Sequence, residues 1–268
     1  MHQPTQIQPR ARRARANRIP CLLTAIVLAG CATTTAPPEA DATAEPGAWY
    51  GGGLHWSRTA AEYRAIFEQT FKLAAERLEV LADGLEPGTW AVSIDADETL
   101  IDNSQYDLDS AKRGGEFNQE TWHEWVLQMA APALPGAAVF TMRVQELGGI
   151  VAVVTNRRVH QCAPTAENLR RVEIAFDIAL CRTEDGEKEP RWNALQDGTA
   201  ASWPGAQFAS ESPPGAVEVL MWVGDNIGDF PDLDQSVRNR ESVLSEFGDR
   251  YFALPNPMYG SWEDNPKE

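Results

Sequence analysis

At 268 residues and a formal charge of −16, this chain can core one domain, and its acidity argues against nucleic acid or an anionic lipid face as a partner. Its four cysteines and four histidines show no spacing for a zinc site or for haem attachment.

The chain opens with Arg10, Arg12, Arg13, Arg15 and Arg18 and no acidic residue before Glu39, followed by an apolar stretch from Ile19 to Ala29. That stretch is too short to span a bilayer as a mature helix but fits the h-region of a signal peptide. It ends in Leu28-Ala29-Gly30-Cys31, which resembles the bacterial lipobox. The resemblance implies cleavage before Cys31, lipid on its sulfur and, with Ala32 next, sorting to the outer membrane. An ordinary signal peptide containing a cysteine is the plainer alternative. Residues 32–48 hold no aromatic and no aliphatic larger than alanine, so residues 31–55 are expected to be a flexible tether. Without residues 1–30 the chain has 18 Lys and Arg against 39 Asp and Glu, a balance of −21.

Thr59-Ala60-Ala61-Glu62 has capping-box spacing and predicts the start of a long helix. Tyr63, Ile66, Phe67, Phe71, Ala74, Leu78 and Leu81 give it one apolar face. A strand is predicted over 90–94. The stretch 104–134 breaks the strand–helix rhythm and, with 56–88, is expected to form a small, mainly helical cap. A helix over 135–147, stopped by Gly148-Gly149, precedes a strand over 150–155. Helix 165–176, strand 178–182, helix 188–196, strand 217–223 and a late strand over 251–254 continue the alternation, and 198–215 reads as a long loop. The fold class expected is α/β, a Rossmann-like, mostly parallel sheet with helices on both faces, over 56–268. Cys162 and Cys181 flank helix 165–176; a disulfide and two separate thiols are equally open.

The most telling residues follow the first strand. Asp95-Ala96-Asp97-Glu98 puts three carboxylates into four positions, an arrangement a divalent cation or a shared proton would make tolerable. Gly224-Asp225-Asn226-Ile227-Gly228-Asp229 repeats the pattern after another apolar run. With Thr155-Asn156-Arg157 and Lys188 between them, the order is strand–DxDxT, strand–Thr-Asn, lysine, strand–GDxxxD. This order resembles the haloacid dehalogenase superfamily of phosphohydrolases. Asp95 to Ser104, Trp122 to Val126, Pro135-Gly136-Ala137 and Leu254 to Trp262 resemble its class C bacterial acid phosphatases, of the lipoprotein e type. The likeness runs from about Trp56 to Trp262.

The resemblance implies a metal-dependent acid phosphomonoesterase acting on nucleoside monophosphates and aromatic phosphomonoesters. Asp95 would be the nucleophile and Asp97 the general acid and base, with Thr155 and Lys188 completing the catalytic set. One Mg²⁺ would be held by Asp95, the backbone carbonyl of Asp97 and Asp225, with Asp229 binding it directly or standing behind it. Asn156, Arg157 and Arg191 would serve the substrate's phosphate, and Trp122 and Tyr259 would sandwich an aromatic leaving group. Arg191 is an equal alternative to Lys188 as the phosphate's cationic partner. Phosphotransfer to an alcohol would use the same site. From a different class, a surface lipoprotein that only binds haem or a nucleotide would have no use for Asp95, Asp97, Thr155 and Asp225 together. A two-component phosphoacceptor is excluded by the signal peptide.

Overall fold

The computed structural model describes residues 51–267 apart from 116, 185, 211 and 212. The signal segment, Cys31 and the tether as far as residue 50 lie outside the described residues.

Six strands form one sheet: β1 (Trp90–Ile94), β2 (Ile150–Arg158), β3 (Ile178–Arg182), β4 (Gln207–Phe208), β5 (Glu218–Gly224) and β6 (Tyr251–Ala253). Their order is β4-β3-β2-β1-β5-β6, parallel throughout except for β4 against β3. The helices are α1 (Gly52–Thr59), α2 (Ala61–Leu81), α3 (Ser104–Lys112), α4 (Gln119–Gln128), α5 (Ala137–Glu146), α6 (Cys162–Arg171) and α7 (Glu189–Gln196). The expected α/β sheet is therefore present.

Strand alternation divides the core in two. Trp90, Val92 and Ile94 of β1, with Val151 and Val153 of β2, join Phe67, Phe71, Leu78, Phe140 and Leu169 of the helices on one face. Ala91, Ala152, Val154 and Trp222 meet Trp192 and Leu195 of α7 on the other. Burial of each large side chain contributes roughly 1.5–3 kcal/mol. The one polar side chain of β1, Ser93, accepts a 2.8 Å hydrogen bond from Trp192 Nε1, so it costs the second core little. The Gly148-Gly149 stop has a packing reason too. A Cβ on Gly149 would lie 2.1 Å from the Trp90 ring, which roofs the end of α5.

Several expectations need correction. Helix α2 is not part of a cap: Phe67, Phe71, Ala74 and Leu78 bury it in the sheet-face core against α5. Its predicted capping box does not form. Thr59 closes α1, with its hydroxyl on His55 O at 2.7 Å, and Ala60 is an N-cap without a side-chain bond. The expected tether is helical from Gly52. Gly53 lies so close to Pro257 that a Cβ would meet its carbonyl oxygen at 1.9 Å, so this glycine serves packing and not flexibility. Within the expected loop 198–215, Gln207–Phe208 adds the antiparallel edge strand. Strand β2 runs on to Arg158 through a register shift between Thr155 and Arg158. Helix α6 is earlier and shorter than expected, ending at Arg171 before Glu173 at φ +60°. Cys162 and Cys181 are joined in a disulfide, with Cα atoms 5.7 Å apart, tying the start of α6 to β3.

Candidate active site

The chain runs from β1 outward to β2 and β3, then returns to place β5 on the other side of β1. At such a reversal the loops leaving adjacent strands diverge and open a crevice at the strands' carboxyl ends. Asp95 leaves β1 there, its N–H on Val223 O at 3.0 Å, and Asp225 leaves β5.

The loop after β1 is tight. The N–H groups of Leu100 and Ile101 both donate to Ala96 O, at 2.9 and 3.0 Å, and Glu98 sits at φ +52°, which favours glycine. What holds Glu98 there is its wholly buried carboxylate. It accepts from Asn103 N–H at 2.7 Å and from the Tyr259 hydroxyl. Burial, followed by the nearby Asp97 and Asp225, pushes the Glu98 carboxyl well above the usual range. The carboxylate of Asp97 takes a different direction. Arg157 Nε donates to both its oxygens at 2.9 and 3.1 Å, Arg157 Nη2 at 2.7 Å and Asn103 Nδ2 at 2.8 Å.

The loop after β5 completes an acidic floor. Asp225 accepts from Asn256 Nδ2 at 2.8 Å and Thr99 Oγ1 at 3.3 Å. Asp229 accepts from Asn226 N–H at 2.8 Å and lies over Gly224, where a Cβ would overlap it. Lys188, buried, bridges Asp95 and Asp229, the latter at 2.7 Å. Oxygens of Asp95, Asp225 and Asp229 lie within 4.8 Å of one another. One ammonium against three carboxylates, Asp95 and Asp229 buried and Asp225 half-buried, leaves the floor short of positive charge. Burial, then Asp229 and Asp97, outweigh Lys188 and push Asp95 up to about 7, and Asp225 is raised by burial, Asp229 and Asp95. An all-oxygen donor set with excess negative charge fits a hard divalent cation. The Asp97 carboxylate is not among those clustered oxygens, since it faces Arg157.

Across the crevice, a register shift in β2 spans Thr155, expected in the catalytic set, and Asn156 and Arg157, expected on the phosphate. Thr155 is wholly buried, its hydroxyl accepting from Arg157 N–H at 3.1 Å. Asn156 faces outward and lines the cleft, its Oδ1 accepting from Arg191 Nη2 at 2.7 Å. Arg191 itself is buried, donating to the carbonyls of Thr155, Gly186 and Glu187. Arg157 and Arg191, expected on the substrate, are thus set mainly toward the protein, one toward Asp97 and one toward the loop carrying Lys188.

A cleft of about 590 Å³ stands over this floor. Helices α3 and α4 supply Tyr106, Asp107 and Trp122 to its wall, and Phe117 and Tyr259 add two further rings. Trp122 packs edge-on to Tyr106 at 5.1 Å, with the Arg157 guanidinium 5.3 Å from its ring centre. Glu98, Asn103, Asp107 and Asn256 join the site beyond the residues expected from the sequence. Glu98 and Asn103 lay within the quoted motif, and Asn256 within the Leu254–Trp262 segment; Asp107 left no signal. Its Oδ2 is buried without a hydrogen-bond partner, and burial, then Asp102 and Asp97, push its carboxyl up to about 6.

Residues 24–262 match the family described as HAD superfamily, subfamily IIIB (acid phosphatase). The chain belongs to that family. The class C acid phosphatase from Bacillus anthracis is similar at 28% identity and TM-score 0.65, over 79% of this chain and 85% of that one. A second structure of that protein, with tungstate bound, aligns equally well. The enzyme is therefore an acid phosphatase, a phosphomonoesterase on a haloacid dehalogenase-type fold. Membership sets aside the reading of a carrier without catalysis. Among the described residues of this acid phosphatase, no helix is long and apolar enough to cross a membrane.

Proposed function

We propose that this acid phosphatase is a metal-dependent enzyme that hydrolyses nucleoside monophosphates and aromatic phosphomonoesters through an aspartyl phosphate on Asp95. The observation that carries the reading is the position of Asp95, at the floor of an aromatic-walled cleft and against Lys188, Asp225 and Asp229. A carboxylate oxygen of Asp95 attacks phosphorus and the bond to the leaving oxygen breaks, while Asp97 gives that oxygen a proton. Water then attacks the phosphoryl group, Asp97 takes its proton, and phosphate leaves Asp95 free. Arg157 and Asn103 hold Asp97 in one orientation through both steps. Lys188 and the Asn156 amide meet the phosphoryl oxygens, and Arg191 aims Asn156. Asp95, the Asp97 carbonyl and Asp225, with Asp229 beside them, would hold a divalent cation of the Mg²⁺ kind, which would cancel charge between nucleophile and phosphate. Tungstate in the Bacillus anthracis relative supports an oxyanion site in this fold.

Trp122 and Tyr259, both on the cleft wall, support a stacked leaving group such as a nucleobase, worth roughly 1–3 kcal/mol per base. The same intermediate would allow phosphotransfer when an alcohol replaces water. Outside the cytoplasm, lipid on Cys31 would tether the enzyme to the outer membrane, a reading carried by Leu28 to Cys31. Two experiments test the proposal. Phosphate release from nucleotides and aryl phosphates near pH 5–6 should require added divalent cation and stop with EDTA; undiminished turnover in EDTA would remove the metal. Detergent partitioning should move from the detergent to the aqueous phase in Cys31→Ser, and an unchanged distribution would remove the lipid.

A further inference from the structure

Strands β2 and β3 end on two arginines in direct register, Arg158 opposite Arg182. Like charges on directly opposed positions repel, so this pairing works against the sheet. Elsewhere the arginines of this acidic protein are mostly engaged: Arg77 with Asp249, Arg143 with Glu79, Arg157 with Asp97, Arg171 with Glu167. Among the described residues, neither the Arg158 nor the Arg182 guanidinium has a hydrogen-bond or ion-pair partner, although Glu184 and Glu187 stand in the adjoining loop. The main chain at Arg158 is fixed, its backbone N–H donating to Gln161 Oε1 at 3.0 Å.

Both arginines line the cleft that holds Asp95. A point beside Gly186, where a Cβ would sit, lies 3.5 Å from Asn156 Nδ2 and 3.8 Å from Arg182 Nη1. The amide facing the reacting phosphate and the Arg182 guanidinium therefore border one space. The ends of β1 and β3 are two strand spacings apart, about 10 Å, within reach of one small molecule.

We infer that Arg158 and Arg182 form a second anion subsite, and that the enzyme favours phosphomonoesters carrying a second phosphate or carboxylate. The inference rests on the proposed placement of the reacting phosphate at Asp95. Two unpaired guanidiniums present forked donors that match either anion bidentately. In a cleft floored with carboxylates they also supply positive field on the side away from Asp225 and Asp229.

The test uses the full chain with divalent cation supplied and compares matched substrates: adenosine 5′-monophosphate with adenosine 3′,5′-bisphosphate, and phenyl phosphate with 4-carboxyphenyl phosphate. The doubly anionic member of each pair should show a KM about tenfold lower at similar kcat, as two charge-assisted contacts would give. Arg158→Gln and Arg182→Gln should each shrink that advantage and together erase it, while leaving KM for phenyl phosphate within about threefold. Arg158→Lys should restore part of it. Equal KM values within each pair for the wild type would overturn the subsite. So would a double variant that slows both members alike, since that is general steering of phosphate. Turnover of phenyl phosphate reads the Asp95 chemistry separately, and the aryl pair reads the subsite even if nucleotides are poor substrates.

Discussion

The two walls of the cleft handle charge in opposite ways. On the wall built by the loops after β1 and β5, Asp95, Glu98, Asp225 and Asp229 crowd together with Lys188 as their sole ammonium among the described residues, and three of these carboxyls are raised. On the wall built by β2, β3 and the start of α7, Arg157 and Arg191 are buried and directed at protein atoms. On the acidic wall carboxylates outnumber the ammonium; on the basic wall the buried Arg157 and Arg191 already have protein partners, and among the described residues Arg158 and Arg182 at its rim do not. A charge left short of partners marks where something else must bind, and a charge with full partners marks what holds the site in shape.

Breaking the acidic wall should give the largest effect. Asp95→Asn removes the proposed nucleophile, so phosphate release should fall by about 10⁴-fold or more while circular dichroism stays unchanged. An active, folded variant would sink the mechanism. On the basic wall, Arg157→Ala should mainly cost stability, because it leaves Asp97, 17% exposed, facing an empty space. Loss of about 3 kcal/mol in urea unfolding is expected, with weakened turnover as well, since Asp97 loses its orientation. A variant as stable as the parent would show that the pair is not what holds this wall.

The disulfide sits just behind the basic wall, where Cys181 is the register partner of Thr155. Closing a loop with sequence separation 19, it should contribute about 3 kcal/mol, so Cys162→Ser with Cys181→Ser should lower the urea midpoint accordingly. The smallest effect belongs to Asp107. Its folded pKa of about 6 exceeds the ordinary 3.8, so the folded state holds the proton more tightly than the unfolded chain. That contribution is present below about pH 4 and is lost as pH rises through 6. Asp107→Asn should therefore stabilise the protein by about 1–2 kcal/mol at pH 7, after discount for partial solvent screening, and hardly at all at pH 4. The same gain at both pH values would show that the carboxyl does not titrate in this range.

Much of this was legible in the chain. Strands 90–94 and 178–182 stand as expected because long apolar runs flanked by turn residues leave few alternatives. Asp95, Asp225, Asp229 and Lys188 meet at the floor because each follows a strand end or opens a helix, and strand ends converge in an open parallel sheet. Three features resisted reading. Helix α2 looked like part of a cap because its apolar stripe does not say which surface will cover it. Edge strand β4 is two residues long and carries no periodicity. Arg157 and Arg191 looked like phosphate ligands because an arginine beside a motif reads the same whether it meets substrate or protein.

The sequence by itself determined the α/β alternation, the phosphatase class and the identity of the acidic floor. Periodicity and motif order are properties of neighbours along the chain, and a one-dimensional record preserves them. Only the tertiary structure decided that α2 belongs to the core, that Cys162 meets Cys181 and that Asp97 faces Arg157. It alone brought the unpaired Arg158 and Arg182 into register at the cleft. Each of these depends on distances between residues far apart in the chain, and the electrostatic energy of a charge depends on those distances and on burial.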